Sequence, residues 1–188
     1  MLTVALHADA GHPALRVGDP FPRLEGQFLT GRDAALPQAS SGKVALVAMG
    51  FSYQSRFPVE AWGNWYRATL AAKTDMTFFE VPMIGGLATL GRWFIDRGMR
   101  KGTPAELHEN VITVYGGAGE WKERLSYASP HEDDAYLIVL DRTGVVRWVH
   151  HGGFDQPRAE ELRKILTSLA DTRPATTRPD PQDPRAGR

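Results

Sequence analysis

The sequence predicts an α/β domain: a central mixed sheet flanked by helices, ending in a C-terminal β-hairpin and a helix. Three observations carry that prediction. Val44-Ala-Leu-Val-Ala-Met49 is a short, unbroken apolar run, the pattern of a strand covered on both faces. Trp62, Trp65, Tyr66, Thr69 and Leu70 recur at helical spacing soon after it. Tyr136–Leu140 and Val145–Val149 are apolar runs joined by Asp141-Arg-Thr-Gly144, a turn whose glycine suits positive φ.

In chain order, the first helix runs from Phe57 to Ala72 and accepts Pro58 in its first turn, where a missing N–H costs nothing. Met76–Val81 is the next strand. Leu87–Met99 is the second helix, with Leu87, Leu90, Phe94 and Ile95 on its apolar side. Val111–Tyr115 is a third strand and Gly119–Leu125 a short helix. After the hairpin, Gln156–Leu169 closes the domain, with Pro157 near its start and Leu162, Ile165, Leu166 and Leu169 facing inward. Strands separated by helices imply right-handed βαβ units and a mainly parallel sheet, to which the hairpin adds an antiparallel edge.

The 188 residues suit one domain with length left for tails, and 42% hydrophobic residues suffice for a core. Lys and Arg number 22 against 22 Asp and Glu. A formal net charge of zero lacks the basic excess that phosphate binding wants, so nucleic acid is not the expected partner. Cysteine is absent, which excludes disulfides, thiolate catalysis and cysteine-ligated metals. The uncharged stretches Val44–Ser55 and Val81–Gly91 fall short of the ~20 apolar residues of a membrane span. The apolar start has no Lys or Arg ahead of it and meets Asp9 early, so no signal peptide is expected. The expected location is cytoplasmic, with room for a peripheral place at a membrane. Arg173–Arg188 holds four prolines and almost nothing apolar and reads as a disordered tail. Residues 1–15 read as a loose segment, leaving 16–172 as the folded domain.

This order of elements resembles the thioredoxin-like fold in its longer redoxin form. The resemblance rests on Val17-Gly-Asp-Pro-Phe-Pro22, on Gly42-Lys43 before the first buried strand, and on the ending YLIVLDRTGVVRW. Redoxins of the thiol-disulfide type carry W-C-x-x-C-x-x-E after the first central strand; here the run is Tyr53-Gln-Ser-Arg-Phe57-Pro-Val-Glu60. Gln54 stands at the attacking cysteine and Phe57 at the resolving one, and neither forms a thiolate. The residues before the strand at 136–140 read Glu132-Asp-Asp-Ala135, without that family's cis-proline. A narrower resemblance is to the mitochondrial family of assembly factors for the membrane sector of ATP synthase, a redoxin-like body without the usual active site. It rests on FIDRGMRKG at 94–102, VYGGAGEWKERL at 114–125 and YLIVLDRTGVVRWVHHGG at 136–153. It implies chaperone-like binding of a hydrophobic partner segment, such as a membrane-complex subunit, rather than catalysis.

Two surfaces are candidates for function. Ser52, Tyr53, Gln54, Ser55, Arg56 and Phe57 line the loop that enters the first helix, where free N–H groups and the macrodipole favour a carboxylate, phosphate or peptide carbonyl. The bland alternative is that Ser52 or Ser55 caps the helix and Arg56 is solvated. The second helix places Arg92, Arg97, Arg100 and Lys101 beside Trp93 and Phe94, as a partner-groove or membrane-surface helix would. The commoner alternative puts the aromatic side against the core. No cofactor is expected. His150 and His151 are neighbours on a strand and point to opposite faces, so they do not share a metal easily. His131 with Glu132, Asp133 and Asp134 is a polar loop without H-x-x-x-H or H-E-x-x-H spacing, and no metal site is expected there. Gly116, Gly117 and Gly119 lack the order of a nucleotide-binding loop. No Ser-His-Asp arrangement can be defended.

Overall fold

A computed structural model describes residues 12–86, 91–128 and 130–172. The expected tail at 173–188, most of the expected N-terminal segment and the expected start of the second helix at 87–90 lie outside these residues. The elements are β1 (Leu24–Phe28), β2 (Asp33–Leu36), β3 (Val44–Gly50), α1 (Arg56–Leu70), β4 (Met76–Ile84), α2 (Arg92–Gly102), β5 (Ile112–Tyr115), α3 (Ala118–Arg124), β6 (Ala135–Leu140), β7 (Val146–Gly152) and α4 (Gln156–Asp171). They form one seven-stranded sheet in the order β2-β1-β5-β4-β3-β6-β7.

The sheet is mixed, as expected, but not mainly parallel. Only β3/β4 and β4/β5 pair in parallel; the other four neighbouring pairs are antiparallel. The reason lies in β6, which returns beside β3 in the opposite direction, with Ala45 facing Leu140 and Met49 facing Tyr136. The terminal hairpin β6–β7 thus forms one end of the sheet, the antiparallel edge that was expected, with β7 outermost. The N-terminal hairpin β1–β2 was not expected from the sequence. Its strands are five and four residues long and its buried positions are few, so the alternating signal is weak. Gly31, at φ +92°, makes the turn between them.

Two apolar layers cover the sheet. On one face α1 and α4 deliver Trp62, Tyr66, Leu70, Leu162 and Leu166 onto Leu46, Phe78 and Leu137. Gly63 lets α1 lie close to β4, because a Cβ there would sit 2.7 Å from Glu80 Oε1 and 3.0 Å from the ring of Phe78. On the other face Phe21, Leu24, Phe28, Trp121 and Leu125 pack on Val47, Phe79, Ile112 and Ile138. Every residue of β3 and β6 is buried, which is why both read as unbroken apolar runs. Leu15 joins this layer, and its amide donates to the Arg124 carbonyl at 2.7 Å. The hairpin turn is as read: Gly144 has φ +82°, and a side chain there would strike Pro37 at 2.7 Å. No helix among the described residues is long and apolar enough to cross a membrane.

Candidate functional site

The loop entering α1 begins where β3 ends. Gly50 has no side chain, and a Cβ there would lie 2.5 Å from the Ser55 hydroxyl, so the glycine lets the buried Ser55 fold back over the strand end. Ser55 Oγ donates to the Ser52 carbonyl at 2.7 Å, and the Ser52 amide donates back to Ser55 Oγ at 3.2 Å. Ser52 Oγ accepts the amides of Gln54 and Ser55 at 3.1 and 2.9 Å and donates to Asp133 Oδ1. The Phe57 amide donates to the Gln54 carbonyl, and Pro58 has no N–H to offer. Ser52 thus takes up the two amides just ahead of the helix, and Gln54 takes up that of Phe57. Ser55, formally the N-cap, makes no capping bond with its side chain.

What the loop presents outward is aromatic. Tyr53 and Phe57 are 71% and 52% exposed, and the Arg56 guanidinium lies over both rings, 4.2 and 4.5 Å from their centroids. Arg56 is therefore held between two rings rather than freely solvated. Gln54, at the position of a redoxin's attacking cysteine, is exposed. With no cysteine in the chain, neither thiol-disulfide exchange nor cysteine-dependent peroxide reduction has a nucleophile. Among the described residues the cis X-Pro bond is Leu36–Pro37, after β2, and residues 132–134 directly before β6 contain no proline.

Helix α2 spans Arg92–Gly102 rather than ending at Met99, and it reverses the usual amphipathic order. Its one buried side chain is Asp96, while Trp93 and Phe94 are 60% and 74% exposed. The expectation that Phe94 faces the core does not hold, because polar bonds dock this helix. Asp96 accepts the Tyr115 hydroxyl at 2.6 Å, Arg92 reaches Gln27 Oε1 at 3.1 Å, and Arg100 Nε donates to the Leu29 carbonyl at 2.6 Å. Arg92 also lies 4.7 Å over the Tyr115 ring. Arg92 and Arg100 are thus anchors of the helix. Arg97 stays at the surface over Trp93, which meets Phe94 edge to face at 4.8 Å.

The two sequence-predicted surfaces meet. A cavity of about 690 Å³ opens between the α1 entry loop and α2, lined by Phe51, Tyr53, Val59, Pro82, Phe94 and Met99 among others. Arg56 stands at this cavity, and so does Glu80. Burial raises the Glu80 carboxyl above its ordinary range, against the opposing effect of Arg67 at 3.4 Å. Glu80 was not singled out from the sequence, since a carboxylate within an apolar strand carries no motif.

The histidines also arrange themselves in a way the spacing did not predict. The rings of His150 and His151 do not simply point apart but stack at 6.3 Å, and β6 and β7 pair Tyr136 with His151. That register brings His151 to His131 and Asp134, three residues able to hold an ion. Gly116 and Gly117 serve backbone geometry at φ +97° and +67°, where α3 begins.

Solved structures share this fold. A thiol:disulfide interchange protein DsbE from Chlorobium tepidum superposes with a TM-score of 0.56 at 20% identity, covering 84% of this chain and 99% of its own. BsSco, of the Sco family of cytochrome c oxidase assembly proteins, gives 0.57 at 15% identity over 88% of this chain and 100% of its own. A thiol peroxidase from Chromobacterium violaceum gives 0.54 at 16% identity, covering 84% and 90%. At these identities the likeness shows the thioredoxin-like fold alone. No protein-family model matches the chain, and no curated protein matches it.

Proposed function

We propose that this protein is a redox-inactive, thioredoxin-like binding protein whose groove between the α1 entry loop and α2 holds an apolar segment of a partner protein during assembly of a complex. A subunit of a membrane complex is the fitting class of partner. One observation carries the reading: Tyr53, Phe57, Trp93 and Phe94 are all exposed, and they come from the two elements that border one apolar cavity. Large aromatic groups left in water cost solubility, and they are the residues that anchor interfaces. Arg56 and Arg97, stacked on those rings, add positive charge that favours a partner with acidic residues flanking its apolar stretch. The resemblance of residues 94–102, 114–125 and 136–153 to the ATP synthase assembly factors, and the assembly role of the Sco family, fit the same class of activity.

The reading is tested by placing a photo-crosslinking benzoylphenylalanine at Phe94 and, as a control, at the exposed Lys164 of α4. Crosslinks from position 94 to a protein with an apolar membrane segment, without the same product from position 164, are expected. Identical products from both positions, or none from 94, would overturn the proposal. A second reading, small-ligand binding without thiol chemistry by the same loop, draws on Glu80 at the cavity. A small molecule retained in native mass spectra and lost in Glu80→Gln would favour it.

A further inference from the structure

We infer that His131, Asp134 and His151 form a site for a divalent transition-metal ion of the zinc class, with a coordination position left open to solvent or an added ligand. Asp134 Oδ2 lies 3.0 Å from His131 Nδ1 and 2.8 Å from His151 Nδ1, so two imidazoles converge on one carboxylate oxygen. The three donor atoms all lie within 4.8 Å of one another. Tetrahedral zinc, with bonds of about 2.0–2.1 Å to nitrogen and oxygen, sets its ligand atoms about 3.3 Å apart. The two Asp134 contacts need lengthen by only a few tenths of an ångström, while the two imidazole nitrogens, within 4.8 Å of each other, draw together around an ion that takes the place of the shared hydrogens. Two imidazoles and one carboxylate suit zinc and its neighbours rather than calcium or magnesium, which prefer oxygen alone.

The site is built rather than a chance meeting of surface groups. Tyr136 stacks on the His151 ring, 5.3 Å away at 24°, and its hydroxyl donates to the His131 carbonyl at 3.2 Å. One β6 residue therefore steadies both histidines from behind, as the supporting groups of metal ligands do. The turn is closed by the His131 amide on the Ala128 carbonyl at 2.7 Å. His131 and His151 keep 46% and 42% of their side-chain surface accessible, which leaves the entry path and the further coordination position open. Glu132 and Asp133 add negative charge beside the ligands. The absence of a metal motif in the sequence does not bear against this, because the third ligand arrives from β7 through strand pairing.

The test titrates the tag-free full-length chain with Zn²⁺ by calorimetry and with Co²⁺ by visible absorption. One ion per chain and the d–d absorption of tetrahedral Co²⁺ are expected. Asp134→Asn and His151→Ala should each weaken uptake about 100-fold or more, with metal-free circular dichroism unchanged. His131→Ala, altered only on the turn, should do the same if replacing His151 disturbs β7. His150→Ala, whose ring stacks 6.3 Å from that of His151 but is not one of the three donors, should bind as the parent does. No uptake, uptake undiminished in the ligand variants, or an equal loss in His150→Ala would each overturn the inference.

Discussion

The Tyr115 hydroxyl donates to Asp96 at 2.6 Å, joining the end of β5 to the one buried side chain of α2. Burial and the neighbouring carboxylate both push the Tyr115 phenol above its ordinary range, so it stays a donor at every physiological pH. Replacing Tyr115 by Phe leaves Asp96, among the described residues, with the more distant Arg92 at 3.8 Å. A buried acceptor deprived of its donor costs about 1–3 kcal/mol. We expect amide exchange along α2 to accelerate about tenfold or more, with α1 and α4 unchanged. Unaltered exchange in α2 would show that Asp96 does not hold the helix.

The exposed aromatics should separate stability from binding. Trp93→Ala and Phe94→Ala should change unfolding free energy by less than about 1 kcal/mol, whereas truncation of a core aromatic costs about 3–5 kcal/mol. Trp93→Ala should weaken crosslinking from position 94, and Phe94→Ala should weaken crosslinking from a probe placed at Phe57. Arg97→Glu should do the same at constant stability, while Arg100→Glu should also destabilise, because it loses the bond to the Leu29 carbonyl. Urea titrations of the four variants check this. A Trp93→Ala variant that fails to fold would refute the surface role.

Glu80 should give stability a pH dependence of known sign. Burial raises its folded-state value, so above the ordinary range of an unfolded glutamate the folded chain binds more protons than the unfolded one. Stability is then fully present at low pH and falls as pH rises through the folded value. The difference between the parent and Glu80→Gln curves isolates this contribution, and it should decline with pH from about 4.3 upward. A difference that grows with pH would mean that the Arg67 pair outweighs desolvation.

Gly50→Ala should disrupt the entry loop. The new Cβ would meet Ser55 Oγ at 2.5 Å, and Ser55 is buried with its hydroxyl held by two bonds to Ser52. The expected cost is about 1–3 kcal/mol, together with altered fluorescence of a probe bound near Tyr53. Gly50→Ala combined with Ser55→Ala should recover part of it in thermal melts; no recovery would place the strain elsewhere.

Residue order alone determined the helices and central strands, because their apolar spacing is local: β3 and β6 are covered on both faces and read as unbroken runs, and α4 shows its inward leucines. Composition determined the absence of thiol chemistry outright. The short β1–β2 hairpin, the antiparallel return of β6 and the polar docking of α2 were decided only by tertiary structure. Each depends on partners far along the chain: Thr113 for β1, Ala45 for Leu140, Tyr115 for Asp96. Helical spacing shows that Trp93 and Phe94 share a region with four cations, but not which side turns inward. Asp96 and Arg100 turn that side outward by bonding to β5 and to the residue after β1. The same holds for His131, Asp134 and His151, separated by up to twenty residues and joined by the register of one strand pair.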